Sequence, residues 1–409
     1  MKKFLMLAVA AAMFIPAMAS AQINWNGQFD VLGYSLDDAG FANNGTSNTY
    51  SRFILGANFG LAENIEANAS LMYFTTWGDN YLAGQQIDNS SDTGVLSSVR
   101  LIEANVVFKN LFDNDKISAK IGKQFYDGGT FFKVGPRDLI DTYIFSAMTG
   151  NPYPYYLTED GMEGVVVTYN NNDNLKLDLG YSKLVNENTP VGDKTNVSFI
   201  NAKYKASDAL KIDGYLYDSE TTEYGYRRFD YLGIKPALTI GSLSASLELT
   251  QVFGDDDGSM FSTRHTADGY FAKIDASYDM DALKFRGMYF MTGSQFYAPY
   301  TQNIYVGYYY TSSLRGMFSG DFFGQMFSID ALNFGADYTL NKFKFMMDYF
   351  RIGERDLANK MYEIDLGVQY NYTENIAFKG GIGYLGNEAN GALHESVYLL
   401  GVTYKFGSK

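Results

Sequence analysis

The chain has 409 residues, no cysteine and a formal net charge of -14, so disulfide bonds cannot stabilise it and its acidity argues against a nucleic-acid partner. Aromatic residues make up 16% of the sequence, with 34 Tyr and 31 Phe, and there are 41 Gly but only 7 Pro. Tyr and Phe suit strands, and few prolines are what continuous strand ladders tolerate.

The first 21 residues predict a secretory signal peptide. Lys2 and Lys3 precede an apolar run over residues 4–15, and Ala19-Ser20-Ala21 fits a cleavage site. The alternative is a membrane-anchoring helix, which needs a longer run of about 20 apolar residues. We therefore expect a signal peptide at residues 1–21 and a single barrel domain at residues 22–409.

From residue 23 to residue 406, segments of ten to twelve residues alternate apolar and polar side chains. In the segment 52–61, for example, Phe53, Leu55 and Phe59 fall on one face of a strand, and Arg52 and Asn58 on the other. A membrane-spanning sheet with lipid outside and water inside needs this arrangement, and it must close because hydrocarbon cannot satisfy an open edge. A soluble β-sandwich is the alternative.

Eighteen strands follow from this pattern. The predicted spans are 23–34, 50–62, 65–76, 97–109, 116–126, 161–170, 174–185, 195–206, 209–219, 226–236, 241–253, 267–279, 282–293, 328–340, 341–352, 361–373, 375–386 and 395–406. Tight connections rich in Asn and Asp follow the even-numbered strands, and longer ones follow the odd-numbered strands. The predicted fold is all-β: a transmembrane antiparallel β-barrel of about eighteen strands, with short periplasmic turns and long extracellular loops that include a constriction loop.

The polar face of the strands carries ionisable residues of both signs, among them Arg52, Glu66, Glu103 and Lys120. A dry core cannot hold many ionised groups, whereas a water-filled lumen can, and eighteen strands enclose enough space for water. We therefore take these four residues as pore-lining candidates. The alternative is that loops plug the lumen.

The irregular segment 127–160 is the candidate constriction loop. It combines charged residues with aromatic and apolar ones, so it needs a surface to pack on, and loops of this length are usually functional or disordered. Lys133, Arg137, Asp138 and Asp141 are its candidate constriction residues. The alternative is a loop that lies over the outer rim. The aromatic-rich segment 294–327 is better explained by strand extensions above the membrane than by a sugar-stacking surface.

Three further patterns do not predict a chemical site. Residues 381–386 match G-x-G-x-x-G, but within a strand and without a βαβ unit. The acidic stretch beginning at Asp255 lacks a complete calcium-loop pattern, so calcium binding stays open there. The only two histidines, His265 and His394, lack metal-ligand spacing, and a barrel hydrolase would need one of them at its active site. We expect no enzyme activity, no catalytic residue, no cofactor and no metal.

The sequence resembles the bacterial outer-membrane porins over essentially the whole mature chain. Ala119-Lys120-Ile121-Gly122-Lys123-Gln124 resembles the porin strand that leads into the constriction loop, and Asp160-Gly161-Met162-Glu163-Gly164 the strand that returns from it. The final strand, 398–406, is similar to the aromatic signal that barrel-assembly machinery reads, although three residues follow it here. Eighteen strands with a long third loop also resemble alginate-export and sugar-specific barrels, whose lumens are richer in arginine.

The resemblance implies an outer-membrane channel for passive diffusion of ions and small hydrophilic solutes, with lipid and the barrel-assembly machinery as partners and a homotrimer as a possible assembly. The acidic net charge suggests mild cation selectivity. The alternatives are a saccharide-specific channel and a structural or adhesive barrel plugged by its loops.

Overall fold

The computed structural model describes fifteen stretches of the chain. They are residues 23–36, 46–77, 81–82, 85–86, 99–129, 132–135, 161–171, 174–185, 194–221, 227–256, 265–266, 269–293, 328–354, 360–387 and 394–407. The predicted signal peptide and the aromatic-rich segment 294–327 lie outside these stretches.

Eighteen long strands form one sheet, and the predicted fold is confirmed. They are β1 (Ile23–Leu36), β2 (Thr46–Ala62), β3 (Ile65–Trp77), β4 (Val99–Phe108), β5 (Ile117–Gln124), β6 (Met162–Asn170), β7 (Leu175–Val185), β8 (Lys194–Lys205), β9 (Leu210–Thr221), β10 (Arg227–Ile240), β11 (Leu243–Asp256), β12 (Gly269–Met280), β13 (Leu283–Thr292), β14 (Ile329–Leu340), β15 (Phe343–Glu354), β16 (Lys360–Asn371), β17 (Ile376–Asn387) and β18 (His394–Gly407).

Each strand pairs antiparallel with the next, and the sheet closes on itself. β1 pairs with β2 on one side and with β18 on the other, where Asn26 lies opposite Gly407 and Leu36 opposite Val397. Closure leaves no strand edge to be satisfied, which is the requirement for a sheet in hydrocarbon. Among the described residues, no helix has the length and apolar character needed to span a membrane.

The turns at one end of the barrel are short because their residues adopt left-handed backbone angles. Gly241, Asp281 and Asn341, with φ of 57°, 47° and 53°, lie in the two-residue turns after β10, β12 and β14. The connection from β4 to β5 is a single turn of 3-10 helix, Leu111–Asp113. Connections after even-numbered strands have two or four residues, except for the eight residues between β4 and β5, and connections after odd-numbered strands have five or more.

The two faces of the sheet differ as the pattern of the sequence requires. Large apolar side chains on one parity of each strand, such as Phe285, Phe334 and Leu400, are exposed on the outer face. Near the turns, outward rings form a band across β14 to β17: the centroids of Phe343 and Tyr370 are 4.7 Å apart, and those of Tyr370 and Phe378 are 6.5 Å apart. Such a band is the aromatic girdle of a membrane interface.

Candidate functional site

The chain leaves the barrel wall at the end of β5, and the wall closes behind it. β5 ends at Gln124, and the segment that follows rejoins the sheet at Gly161, just before β6. The Gly161 N–H donates to the Ile102 carbonyl at 2.8 Å, so the start of β6 bonds directly to β4. Ile102 is the extra residue of a β-bulge, because the β3–β4 register shifts between Ser70 and Leu71.

Glycine is required on both sides of this departure point. Gly122 has a φ of 120°, and a Cβ there would lie 2.4 Å from the Ala104 carbonyl oxygen. A Cβ on Gly161 would lie 2.7 Å from the Ile102 oxygen. These glycines belong to the two motifs on which the porin resemblance rests, so the backbone geometry explains those motifs.

The departing segment folds into the lumen as a small hairpin, in which Tyr126–Asp127 pairs with Lys133–Val134. The Gly128 carbonyl at its tip accepts hydrogen bonds from the Asn201 amide, at 2.8 Å, and from the Tyr217 hydroxyl. Asn201 and Tyr217 are buried, whereas their neighbours Ile200 and Leu216 are exposed on the outer face. The hairpin therefore lies on the inner face of β8 and β9.

Aromatic packing holds the same hairpin. Phe132 is 1% exposed, and its ring centroid lies 5.3 Å from Phe199, 5.7 Å from Tyr217 and 5.5 Å from Tyr126. Burial of a Phe side chain stabilises by roughly 1.5–3 kcal/mol. Phe132, an apolar residue of the predicted constriction loop, thus finds its packing surface inside the barrel.

Of the four predicted constriction residues, only Lys133 lies in the described part of the chain, where its backbone forms the returning arm of the hairpin. Arg137, Asp138 and Asp141 lie outside the described residues. Their role at the constriction stays a prediction.

The four pore-lining candidates fall into three separate groups. Arg52 is buried, and its Nη2 lies 3.0 Å from Asp30, whose other oxygen accepts from Thr403 at 2.8 Å. Glu103 and Lys120 form an ion pair at 3.3 Å across β4 and β5. Glu66 pairs with Lys109 beside the turns, so it lies at the barrel end rather than beside the hairpin.

A row of alternating charges crosses five consecutive strands on the inner face. Lys203 lies opposite Asp213, Asp213 opposite Lys235, and Glu248 opposite Lys273. The Lys235 ammonium lies 3.3 Å from the Glu248 carboxylate, which also accepts from the Tyr215 hydroxyl at 2.9 Å. We call these five residues the alternating row; its members are Lys203, Asp213, Lys235, Glu248 and Lys273.

Carboxylates predominate on the inner face of β14 to β16. Arg286 Nη2 lies 2.8 Å from Asp337 and 3.0 Å from Asp348. Lys344 pairs with Asp337 at 3.0 Å. Asp348 lies directly opposite Asp365, and Glu363 is the next inward residue. Two of these four carboxylates, Asp337 and Asp348, are the ones that Arg286 and Lys344 bind.

Glycines line the inner face from β16 to β18. Gly367 lies opposite Gly381, and Gly383 lies opposite Asp365. Gly401 lies opposite Lys379 on the next strand pair. The G-x-G-x-x-G match therefore contributes Gly381 and Gly383 to the lumen wall and forms no nucleotide-binding turn. We call β16 to β18 the glycine wall, and β8 and β9 with the hairpin the aromatic wall.

Sequence reasoning placed most of the charged residues on the inner face but missed several partners. It did not include Asp30, Lys203 or Lys235, although all three have the inward parity of their strands. It also gave no role to Asn201 or Tyr217, because the sequence carries no signal that pairs them with a carbonyl 73 and 89 residues away. Within the described residues, no group of three or more acidic or histidine side chains is arranged to hold a metal.

The fold is a closed antiparallel barrel of eighteen strands, and it is similar to the fold of solved outer-membrane porins. Three solved structures illustrate the likeness: OccAB4 of Acinetobacter baumannii (13% identity, 95% of this chain and 98% of that one, TM-score 0.65), OccK8 (OprE) of Pseudomonas aeruginosa (11%, 95% and 99%, 0.63) and OpdK of Pseudomonas aeruginosa with vanillate (12%, 94% and 99%, 0.63). No protein-family model matches the chain, and no curated protein matches it.

Proposed function

We propose that the protein is an outer-membrane channel through which ions and small hydrophilic solutes diffuse passively. The observation that carries this proposal is the distribution of charge in a closed barrel. Ion pairs such as Arg286–Asp348 and Lys235–Glu248 lie on the inner face, while large apolar side chains such as Phe334 and Leu400 lie on the outer face. Water must occupy the interior, because a dry interior would make so many ionised groups prohibitively costly.

The inserted hairpin narrows this channel. It occupies the inner face of β8 and β9 and is held by hydrogen bonds and by a buried ring, so it is a fixed part of the lumen. Pore diameter and the charges that line it set the selectivity of a channel. The four carboxylates on β14 to β16 and the net charge of -14 favour mild cation selectivity.

Planar-bilayer recording of the purified barrel tests the proposal. We expect stepwise conductance in potassium chloride and, in a salt gradient, a reversal potential of the sign that indicates cation preference. A barrel that inserts, as judged by its heat-dependent migration in a gel, and gives no current would be a plugged structural barrel. An anion-selective current would refute the proposed cation selectivity but would still support the proposed channel function.

The proposal includes the partners that the resemblance implies. The last strand presents Tyr398, Leu400 and Tyr404 on the lipid-facing side, which is the alternation of a barrel-assembly signal. Depletion of the assembly machinery should therefore prevent insertion. Native mass spectrometry of the detergent-solubilised protein tests the homotrimer.

A further inference from the structure

The aromatic wall continues into a group of charges that compensate one another. The alternating row contains three lysines and two carboxylates, and the third lysine, Lys273, pairs with Asp275 at 3.1 Å. Together with Asp275, the row therefore holds three cations and three carboxylates. The charges of these six groups sum to zero, so the six together do not attract an ion of either sign from a distance.

Although its net charge is zero, the row offers strong local partners of both signs. Lys235 is 30% exposed and Asp275 is 32% exposed, so both reach the lumen. Each is backed by a buried group of opposite charge: Glu248 lies behind Lys235, and Lys273 lies beside Asp275. The exposed pair lies on β10 and β12, two strands apart, which is about 10 Å at the usual strand spacing.

A permeating solute gains most from this surface when it carries both charges. The carboxylate of the solute replaces the protein carboxylate that is paired with one lysine. Its ammonium group replaces the lysine that is paired with another protein carboxylate. Every charge then keeps a partner during the exchange. A solute with a single charge leaves one protein group without its partner, and breaking a pair in this way costs more than exchanging it.

We infer that the alternating row, with Asp275, is the part of the lumen that recognises zwitterionic solutes, molecules that carry an ammonium group and a carboxylate a few bonds apart. This inference rests on the proposed function, since the row can act on a solute only if the barrel conducts. It deepens that function by naming a class of solute, and it concerns β8 to β12 rather than the carboxylates of β14 to β16.

Block of the potassium current by matched probes tests the inference. The probes are γ-aminobutyrate, butyrate and butylammonium, which share a four-carbon chain and differ in charge. In the wild-type channel we expect γ-aminobutyrate to block at about threefold lower concentration than either analogue, the size expected for exchange of a solvent-exposed ion pair. Equal block by all three probes would overturn the inference.

Two double variants locate the effect, and each keeps the net charge. Lys235→Gln with Glu248→Gln removes one pair while preserving hydrogen-bonding atoms for Tyr215, and Lys273→Gln with Asp275→Asn removes the other. Both should abolish the advantage of γ-aminobutyrate while the potassium conductance remains. If both conduct and retain that advantage, the row is not the recognition surface.

The matched control lies on the outer face. Arg228 and Asp218 form an ion pair at 3.1 Å on the lipid-facing parity of β9 and β10. Arg228→Gln with Asp218→Asn removes a pair without touching the lumen, so block by γ-aminobutyrate should be unchanged. Absence of any current from folded wild-type protein would instead refute the proposed channel.

Discussion

The aromatic wall and the glycine wall build the same lumen in opposite ways. On β8 and β9, inward Phe199, Tyr215 and Tyr217 are buried, and the hairpin covers part of the wall. On β16 to β18, Gly367, Gly381 and Gly401 face inward without a side chain. A barrel of this size has space to fill, and among the described residues the hairpin fills it from the side of β8 and β9. The filling is asymmetric within the described part of the chain.

The two walls also differ in how firmly they hold the part of the chain that lies in the lumen. The aromatic wall gains free energy from buried rings and from hydrogen bonds to one carbonyl, so the hairpin keeps its position. On the glycine wall, Gly367, Gly381 and Gly401 add no side chain to the lumen, so a substitution there adds bulk instead of releasing a packed segment. Changes on the two walls should therefore have opposite effects on conductance.

The largest expected effect is on folding, and it follows from a substitution at Gly164 on β6, beside the point where the hairpin leaves the barrel wall. A Cβ on Gly164 would lie 2.1 Å from the Tyr181 carbonyl oxygen, and backbone cannot move aside cheaply. We expect Gly164→Val to destabilise the barrel by more than about 3 kcal/mol. Its yield in heat-resistant folded form should fall to background.

Gly214→Val on β9 is the control. The nearest atom to a Cβ there is 3.9 Å away, so the added side chain enters open space on the lipid-facing side. Folding should be normal. Normal folding of Gly164→Val as well would show that the backbone around Gly164 leaves more room for a side chain than the structure indicates.

The next effect comes from filling the glycine wall. Gly381→Phe places a ring in the lumen opposite the hairpin, so single-channel conductance should fall by roughly a third to a half. Gly380→Phe places the same ring on the outer face of the same strand, where a Cβ has its nearest neighbour at 3.7 Å. Equal conductance of these two variants would contradict the assigned faces.

A smaller and opposite effect should follow from weakening the aromatic wall. Tyr217→Phe removes one hydrogen bond to Gly128, and Asn201→Ala removes the other. Each loss costs about 1 kcal/mol, which raises the population of the displaced hairpin about fivefold per bond. We expect larger conductance and more open-state noise in the double variant.

Tyr215→Phe controls for the loss of a lumenal hydroxyl. This residue is on the same strand and face, but its hydroxyl bonds Glu248 and Thr250 on β11. Its conductance and noise should match those of the wild type. If Tyr215→Phe increased conductance and noise as much as Tyr217→Phe does, the hydroxyl of Tyr217 would not be what holds the hairpin.

The smallest expected effect is on ion selectivity, and it comes from the carboxylates on the inner face of β14 to β16. Asp348→Asn removes one of two carboxylates bound by Arg286. A unit charge about 10 Å away in water contributes roughly 0.4 kcal/mol, so the potassium-to-chloride permeability ratio should fall about twofold. The reversal potential in a salt gradient measures this ratio. Asp218→Asn on the outer face should leave it unchanged.

The sequence was sufficient for the barrel because each strand repeats one simple pattern. Alternation along the strands fixed the faces of Phe53 and Arg52, and the turn residues fixed where strands end. The inserted hairpin was only partly predictable. Its length and aromatic content indicated a packing surface inside the barrel, but no local pattern showed that Asn201 and Tyr217 provide it.

The sequence predicts which charged residues face the lumen, but it does not predict which of them pair with one another. Parity places Asp213 and Lys235 on the inner face, but their pairing depends on the register between strands, which a single strand does not reveal. Asp30 illustrates the limit. It joins Arg52 on β2 to Thr403 on β18, and that contact exists only after the sheet has closed.

The bond from Gly161 to Ile102 makes the hairpin a replaceable module. Because β6 bonds to β4 where β5 has ended, the hydrogen-bonded wall continues across the interval between Gln124 and Gly161. A linker of different length or sequence can span that interval without opening a leak into the bilayer. Protein engineers can therefore exchange the hairpin that narrows such a barrel while the strands stay the same.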